Sequence, residues 1–184
     1  INANVVWKDV VDGRGLAVRC TIRGRDTIII LFHANVSDGD AAQRASFEEL
    51  RKNIPVIPNV DYIWMLDANN VTDVNKDAKR SDKMKPTQTH EQGIQGLNEC
   101  CQKWGPMTDT FRSLHPDTKE YTHRQNIGGI PGRRAYTTYR RIDRIYVTDY
   151  MVLKGEGTPK VTEAKIINPT HTDLLALKRT GSTS

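Results

Sequence analysis

The feature that most constrains the fold is an apolar run that ends abruptly in polar residues. Residues 62–66 are branched, aromatic or otherwise apolar, and an acid and two amides follow within residues 67–70. A run of this kind, without glycine or proline, predicts a buried strand. If the backbone stays extended, Asp67 and Asn69 point to the same face. Such a pair can hold a water or a metal-bound oxyanion, but the same residue types also form ordinary turns.

Length and charge limit the classes of protein that need to be considered. The 184 residues are enough for one core, so a single domain over residues 1–184 is expected. The net charge of +5 suits a polyanionic partner such as a nucleic acid. Basic residues gather in two clusters. The first comprises Arg133, Arg134, Arg140, Arg141 and Arg144, and the second, Lys79, Arg80, Lys83 and Lys85, is interpreted as a solvated face.

The cysteines and the hydropathy pattern indicate an intracellular protein. Cys20, Cys100 and Cys101 cannot form a closed disulfide framework, and adjacent cysteines rarely pair with each other. No spacing resembles a zinc site. The sequence has no run long enough to span a membrane and no signal-peptide pattern, so no membrane partner is expected.

Hydrophobic periodicity predicts a mixture of strands and helices. A hairpin is predicted over residues 16–32, and its continuous apolar strand 27–32 is expected to be covered on both faces. The remaining predictions are helices at 41–52 and 94–104, a short helix and turn at 109–116, strands at 136–149, 161–167 and 174–177, a surface loop at 71–92 and a flexible segment at 125–134. This arrangement favours an α+β fold or a layered α/β sandwich.

Three short motifs occur in a fixed order along the chain. They are residues 66–69 (Leu-Asp-Ala-Asn), residues 141–147 (Arg-Ile-Asp-Arg-Ile-Tyr-Val) and residues 170–175 (Thr-His-Thr-Asp-Leu-Leu). Each motif is weak alone. A strand residue such as Asp143 is usually paired with a cation, and a lone histidine such as His171 usually lies on the surface.

Taken together, the motifs resemble the endonuclease/exonuclease/phosphatase superfamily, which has the DNase I-like fold. They are most similar to the endonuclease domains of LINE-type retrotransposons, which carry a Gly-Asp-Phe-Asn-like strand end, an Arg-Ile-Asp strand and a terminal Ser-Asp-His. Residues 109–122 are similar to the family's Asp-x-Trp/Phe-Arg, His-Pro and Tyr-Thr stretch, and residues 32–35 to its Tyr-Ala-Pro-Asn strand end. The resemblance covers residues 13–177 and implies a four-layer α/β sandwich of the α+β class.

The resemblance also implies roles for particular residues. Asp67 would hold or deprotonate the attacking water, and Asn69 would position the water or the phosphate. His171 would stabilise negative charge in the transition state, and Asp143 would orient its ring. The implied cofactor is Mg²⁺ or Mn²⁺, held by Asp67 and Asn69. The implied contacts with substrate or phosphate are His33, Tyr121, Arg140 and Arg141.

The sequence departs from the family pattern at several points. Thr170 stands where the family has an aspartate before its histidine, and Asp173 is a speculative substitute for the lost carboxylate. Leu66 and Ala68 replace the glycine and phenylalanine of the first motif. The family's first two strands, which bear an asparagine and a metal-binding glutamate, have no match in the sequence. A sandwich that lacks its first strands is therefore expected.

Three functions are compatible with these features. The first is a metal-dependent endonuclease that nicks DNA in the nucleus, with a reverse transcriptase domain as a partner in a longer polyprotein. The second is a catalytically degenerate or truncated module that binds nucleic acid or a protein without cleavage, since the family's glutamate is absent. The third, a small-molecule phosphatase, is less favoured because no feature selects a lipid or an inositol.

Overall fold

The structure, a computed structural model, describes residues 6–11, 13–22, 24–35, 37–86, 90–129, 134–152, 161 and 163–166. These residues form two sheets, four α-helices and a 3-10 helix at Asp149–Met151. The strands are β1 (Val6–Val11), β2 (Gly15–Ile22), β3 (Arg25–His33), β4 (Asp61–Asp67), β5 (Ala78–Arg80), β6 (Met107–Asp109), β7 (His123–Ile127), β8 (Tyr136–Arg140) and β9 (Asp143–Thr148). The helices are α1 (Gly39–Asn53), α2 (Val74–Asp77), α3 (Glu91–Lys103) and α4 (Thr110–Leu114).

The main sheet has six strands in the order β1-β2-β3-β4-β9-β6, and a small sheet has the order β5-β8-β7. All neighbouring strands are antiparallel except β3 and β4, which are parallel. A parallel pair needs a crossover connection, and α1 supplies it here. The α+β class and the hairpin over residues 16–32 are therefore confirmed. The parallel crossover brings the carboxyl ends of β3 and β4 to the same edge of the main sheet.

The core lies between one face of the main sheet and helices α1 and α3. Alternate strand residues point into it because successive side chains of a strand face opposite sides. Trp64 is fully buried, and its ring contacts Phe47 of α1 at 6.1 Å and Trp104, just after α3, at 5.3 Å between centroids. Both long helices occur where periodicity predicts them. Their apolar faces cover this side of the sheet only.

The opposite face of the main sheet is open in the described part of the chain. Leu31 is 40% exposed, Met65 39% and Ile145 46%. The prediction that strand 27–32 is covered on both faces is therefore wrong for the described residues. A cavity of about 1380 Å³ lies over this face. We call this side of the sheet the open face, and define it by Leu31, Ile63, Met65 and Ile145, which line that cavity.

The predicted strand 136–149 is in fact two strands in different sheets. β8 ends at Arg140, and β9 begins at Asp143. The two residues between them, Arg141 and Ile142, are buried, and the backbone N–H of Arg141 donates to the carbonyl of Asp77 rather than to a strand. A hydrophobic pattern does not show such a change of sheet, because it does not indicate which strand each residue pairs with.

Other local predictions need correction as well. The predicted loop 71–92 contains α2 and β5, and the predicted flexible segment 125–134 overlaps β7. Residues 161 and 163–166 are not a strand, and residues 167 and 174–177 lie outside the described residues. None of the helices in the described part of the chain is long and apolar enough to cross a membrane.

Candidate active site

Three strands end or begin at one edge of the main sheet and place three polar residues in register. His33 is the partner of Asp67 in the parallel pair β3–β4, and Asp67 is the partner of Asp143 in the antiparallel pair β4–β9. We call this edge the rim and define it by these three residues. By strand parity the rim continues the open face, since Met65 and Asp67 lie two residues apart on β4. All three rim residues line the same cavity as the open face.

The pKa of Asp67 lies above the ordinary value of an aspartate. Burial is the main cause that raises its pKa, and repulsion from Asp143 raises it further. The backbone N–H of Asn69 donates to Oδ1 of Asp67 at 3.0 Å and opposes this rise. His33 Nε2 lies 3.8 Å from Oδ2 of Asp67. A carboxyl group whose pKa is raised is a better proton acceptor than an ordinary aspartate.

Asn69 does not extend the strand that carries Asp67. Its φ of +49° is left-handed, a conformation that asparagine tolerates better than most residues. The expectation that both side chains share a face through an extended backbone is therefore wrong. The Nδ2 of Asn69 donates to the carbonyl of Ala34 at 3.0 Å, which ties the ends of β3 and β4 together. This bond leaves Oδ1 as the end of the amide that can face a metal or a water.

Asp143 is held in place through its backbone. Its N–H donates to Oγ1 of Thr122 at 3.1 Å, and the N–H of Ile142 donates to the same oxygen at 3.1 Å. The side chain of Asp143 is exposed at the rim. The neighbouring Tyr121 packs against Tyr139 with 5.9 Å between ring centroids. The predicted contact residue Tyr121 thus lies next in sequence to the residue that holds Asp143.

His123 is a rim neighbour that the sequence did not indicate. It begins β7 immediately after Thr122, and its charge lowers the pKa of Asp67. It lies in a polar stretch without periodicity, so no sequence signal distinguishes it from other surface histidines.

Arg141 does not have the role expected for it. Its side chain is 1% exposed; Nε donates to Asp77 at 2.9 Å, and Nη2 donates to Asp109 at 2.8 Å. These bonds commit the guanidinium to the interior, so the predicted contact between Arg141 and a phosphate is not supported. Arg144 is likewise buried. The first arginine cluster therefore is not a continuous surface for a polyanion.

Arg140 lies on the other side of the site. Together with Asn69, Lys79 and Tyr139 it lines a second cleft of about 220 Å³ between the small sheet and the turn after β4. Asn69 is thus accessible from this cleft, while Asp67 faces the larger cavity. The two predicted metal ligands open onto different spaces.

The donor set at the rim fits a weakly held Mg²⁺ or Mn²⁺. Within the described ranges, no three histidine, cysteine or acidic side chains are grouped so that they could hold a metal. Mg²⁺ needs only one or two protein carboxylates, because it keeps several water ligands. Asp67 and Asp143 are neighbours across β4 and β9 and supply two carboxylates of the right type. A cation there would relieve the repulsion between them.

The third sequence motif, residues 170–175, lies outside the described residues. His171, predicted to stabilise the transition state, lies outside the described residues, as do Thr170 and Asp173. The structure therefore does not test the predicted pairing of His171 with Asp143.

The similarity of this chain to known proteins lies in its structure. No family model matches the chain, and no curated protein matches it. Among solved structures, an AP endonuclease from Archaeoglobus fulgidus has a TM-score of 0.52 and 20% identity, over 80% of this chain and 58% of that one. The AP endonuclease LMAP from Leishmania major has a TM-score of 0.45 and 18% identity, over 74% and 46%.

The endonuclease domain of TRAS1, a telomere-specific non-LTR retrotransposon, has a TM-score of 0.49 and 14% identity, over 80% of this chain and 57% of that one. The chain spans about half the length of the structures it matches. At these identities the similarity concerns the fold, and the archaeal structure is the one with a TM-score above 0.5 among the three. The two sheets, the helices on one face and the similarity to the archaeal structure together show that the chain has the DNase I-like fold.

Proposed function

We propose that the chain is a single metal-dependent endonuclease domain of the LINE retrotransposon type that nicks DNA by phosphodiester hydrolysis. The observation that carries this proposal is the register of His33, Asp67 and Asp143 across three neighbouring strands. Hydrolysis of a phosphodiester needs a placed water, a proton acceptor and positive charge near the phosphoryl oxygens. The rim supplies candidates for each of these requirements.

Asp67 is the candidate proton acceptor. The attacking water forms a new P–O bond, and its proton passes to Asp67. The bond from phosphorus to the sugar oxygen breaks, and that oxygen leaves with the electron pair and takes a proton from solvent. Asp67 lines the large cavity, so a water held over the open face can reach its carboxylate. His33 Nε2, 3.8 Å from Asp67, can donate to a non-bridging phosphoryl oxygen.

A divalent cation held by Asp67 and Asp143 would supply Lewis-acid stabilisation of the negative phosphoryl oxygens. Asn69 would position the phosphate through Oδ1 from the side of the second cleft. His171, oriented by Asp143, would stabilise negative charge in the transition state. Its place in the third sequence motif supports this role. Arg140 is proposed as a contact with the DNA backbone on the side of the second cleft, and Tyr121, which packs against Tyr139 of that cleft, as a further contact.

The motif order supports the LINE type and, with it, a nuclear location and a reverse transcriptase domain in a longer polyprotein. These finer assignments rest on the sequence resemblance, which includes the stretch 109–122 before the Arg-Ile-Asp motif.

The test is nicking of supercoiled plasmid in the presence of Mg²⁺ or Mn²⁺. We expect nicking that EDTA abolishes and that Asp67→Asn reduces by about 100-fold or more, which is typical for loss of a general base. Asp117→Asn is the matched control, because Asp117 is a carboxylate whose side chain is 90% exposed. Nicking that persists in Asp67→Asn, or that is unaffected by EDTA, would contradict the proposal.

A module that binds DNA without cutting it is the second candidate. Two observations favour it: the described residues contain no group of three metal-ligating side chains, and Lys79, Lys83 and Lys85 are exposed. Binding that weakens steeply with salt, without metal-dependent nicking, would support this alternative. Lys79→Ala would then lower affinity equally for all DNA sequences and reduce the salt dependence.

A further inference from the structure

We propose that Gln43 is a positioning residue, and that a buried chain of two amides and one guanidinium fixes the turn that carries Asp67 and Asn69. The chain runs from Arg144 through Asn70 to Gln43, and we call it the amide relay. This inference rests on the proposed function, because the turn it holds contains the candidate proton acceptor.

Gln43 reaches from α1 to the ends of both parallel strands. Its side chain is fully buried. Nε2 lies 3.2 Å from the carbonyl of Asn35, just after β3, and 3.2 Å from the carbonyl of Ala68, just after β4. The two N–H groups of this amide thus donate to two loop carbonyls, each of which lies just beyond the end of a strand. A buried carbonyl without a donor is costly, so Gln43 holds both loop ends at fixed positions.

The orientation of the relay follows from Arg144. A guanidinium only donates hydrogen bonds, so the end of Asn70 that it contacts must be Oδ1, at 3.2 Å from Nη1. Nδ2 of Asn70 therefore points the other way and donates to Oε1 of Gln43 at 3.2 Å. With Oε1 in use, Nε2 of Gln43 must face the two carbonyls. One buried charge thus determines which way both amides point.

The packing around Gln43 allows little rotation of its amide. Gly93 of α3 lies against it, and a Cβ at position 93 would come within 1.8 Å of Oε1. Asp40 accepts from the N–H of Gly93 at 2.8 Å and holds α3 in this position. The side chain of Gln43 is therefore confined between α1, α3 and the two loop ends.

The relay matters because the turn it supports is held in a sparsely populated conformation. Asn69 has φ of +49°, and its N–H must reach Oδ1 of Asp67. If the carbonyl of Ala68 lost its donor, the peptide before Asn69 could rotate, and the bond to Asp67 would lengthen. A small displacement at a proton acceptor is enough to lower a rate strongly.

The first test uses the wild-type protein and needs no catalysis. We expect both side-chain N–H protons of Gln43 to exchange with solvent at least about 100-fold more slowly than those of Gln102, an exposed residue of α3. The readout is hydrogen exchange of the side-chain amides by NMR. Exchange of Gln43 at the rate of Gln102 would overturn the relay whether or not the protein cuts DNA.

The second test compares three variants in the nicking assay. Gln43→Glu keeps the shape of the side chain but replaces the two donors with an acceptor, and Gln43→Met keeps its length without either. Leu50→Val is the control, because Leu50 is a fully buried residue of α1 that lies two turns beyond Gln43. We expect the Gln43 variants to lower kcat at least tenfold with KM for plasmid changed less than twofold, and Leu50→Val to leave both unchanged.

The same variants are followed by NMR through the backbone N–H of Asn69. In the Gln43 variants this signal should shift, while in Leu50→Val it should not. If Gln43→Glu and Leu50→Val changed kcat and this signal equally, Gln43 would contribute only to the stability of the protein. That result would overturn the proposal. If the wild type does not nick, the proposed function fails, and the amide exchange and the Asn69 signal still decide the relay.

Discussion

Asp67 and Asp143 are direct partners across β4 and β9, although 76 positions separate them in the sequence. Their side chains lie on the same side of the sheet because paired residues of neighbouring strands share a face. The carboxylates of two directly paired residues repel each other. Burial is the larger cause that raises the pKa of Asp67, and repulsion from Asp143 adds to it. A divalent cation is therefore expected to bind more favourably at this pair than at an isolated carboxylate.

Metal binding at this pair is expected to raise the melting temperature. At a Mg²⁺ or Mn²⁺ concentration tenfold above Kd, the stabilisation is about 1.4 kcal/mol, or about 3–6 °C in a domain of this size. Thermal unfolding measured with and without EDTA checks the shift. Asp67→Asn should remove it and Asp117→Asn should retain it. An equal shift in Asp67→Asn would place the metal elsewhere.

Asp77 is expected to be essential for stability. It is buried, and both Arg141 and Arg112 donate to its carboxylate. Asp77→Asn removes one partner from a buried ion-pair network and should cost about 3–5 kcal/mol. Urea unfolding measures the difference. Asp117→Asn is again the comparison, since Asp117 pairs with Lys76 at the surface; a loss as small as in this control would contradict the assignment.

The same network predicts how stability depends on pH. Burial disfavours ionisation of Asp77, but the hydrogen bonds from Arg141 and Arg112 outweigh it and hold its pKa below the ordinary value. The unfolded chain then binds a proton at a higher pH than the native protein does. This contribution to stability is full above the unfolded pKa of about 3.9 and is lost as pH falls through the lower native pKa. Unfolding free energies between about pH 5 and 2 should fall less steeply in Asp77→Asn than in the wild type.

Gly93→Ala is expected to destabilise the protein through Gln43. The new Cβ would lie 1.8 Å from Oε1 of Gln43, so the amide would have to move. Overpacking of this kind costs about 1–3 kcal/mol, against a gain of about 1 kcal/mol from alanine in a helix. Gly128→Ala is the control, because a Cβ added at that position would meet no described atom within 4 Å. Chemical denaturation of both variants measures the contrast; equal stabilities would show that the contact is not restrictive.

Sequence patterns were sufficient where local periodicity and burial agree. The strand that ends at Asp67 and both long helices follow from apolar spacing, since each buries one continuous face in the same core. The alignment of Asp67 with Asp143 is different in kind. It depends on pairing between distant strands, and the order of three weak motifs, rather than any periodicity, indicated that these residues belong to one site.

The buried amides, the buried arginines and the turn at Asn69 could not be predicted from the sequence, and each has a physical reason. The relay of Gln43 and Asn70 is made of polar residues in a helix and a turn, and their burial depends on tertiary contacts. Arg141 is predicted to contact a phosphate, and Arg144 belongs to the same basic cluster of the sequence, yet buried acids and an amide satisfy both side chains. Arginine is mostly exposed in proteins, so the sequence gives no sign of this burial. The prediction that Asp67 and Asn69 share a face fails because Asn69 has a left-handed backbone. Side chains alternate only while the backbone stays extended.

The number of residues in the connection between β8 and β9 matters as much as their identity. Arg141 and Ile142 carry the chain from the small sheet to the main sheet, and both are buried. One inserted residue would exchange the two faces of β9, turning Arg144 outward and Ile145 into the core. Over evolutionary time, insertions and deletions should therefore be excluded from this connection more strictly than substitutions are from the strands on either side.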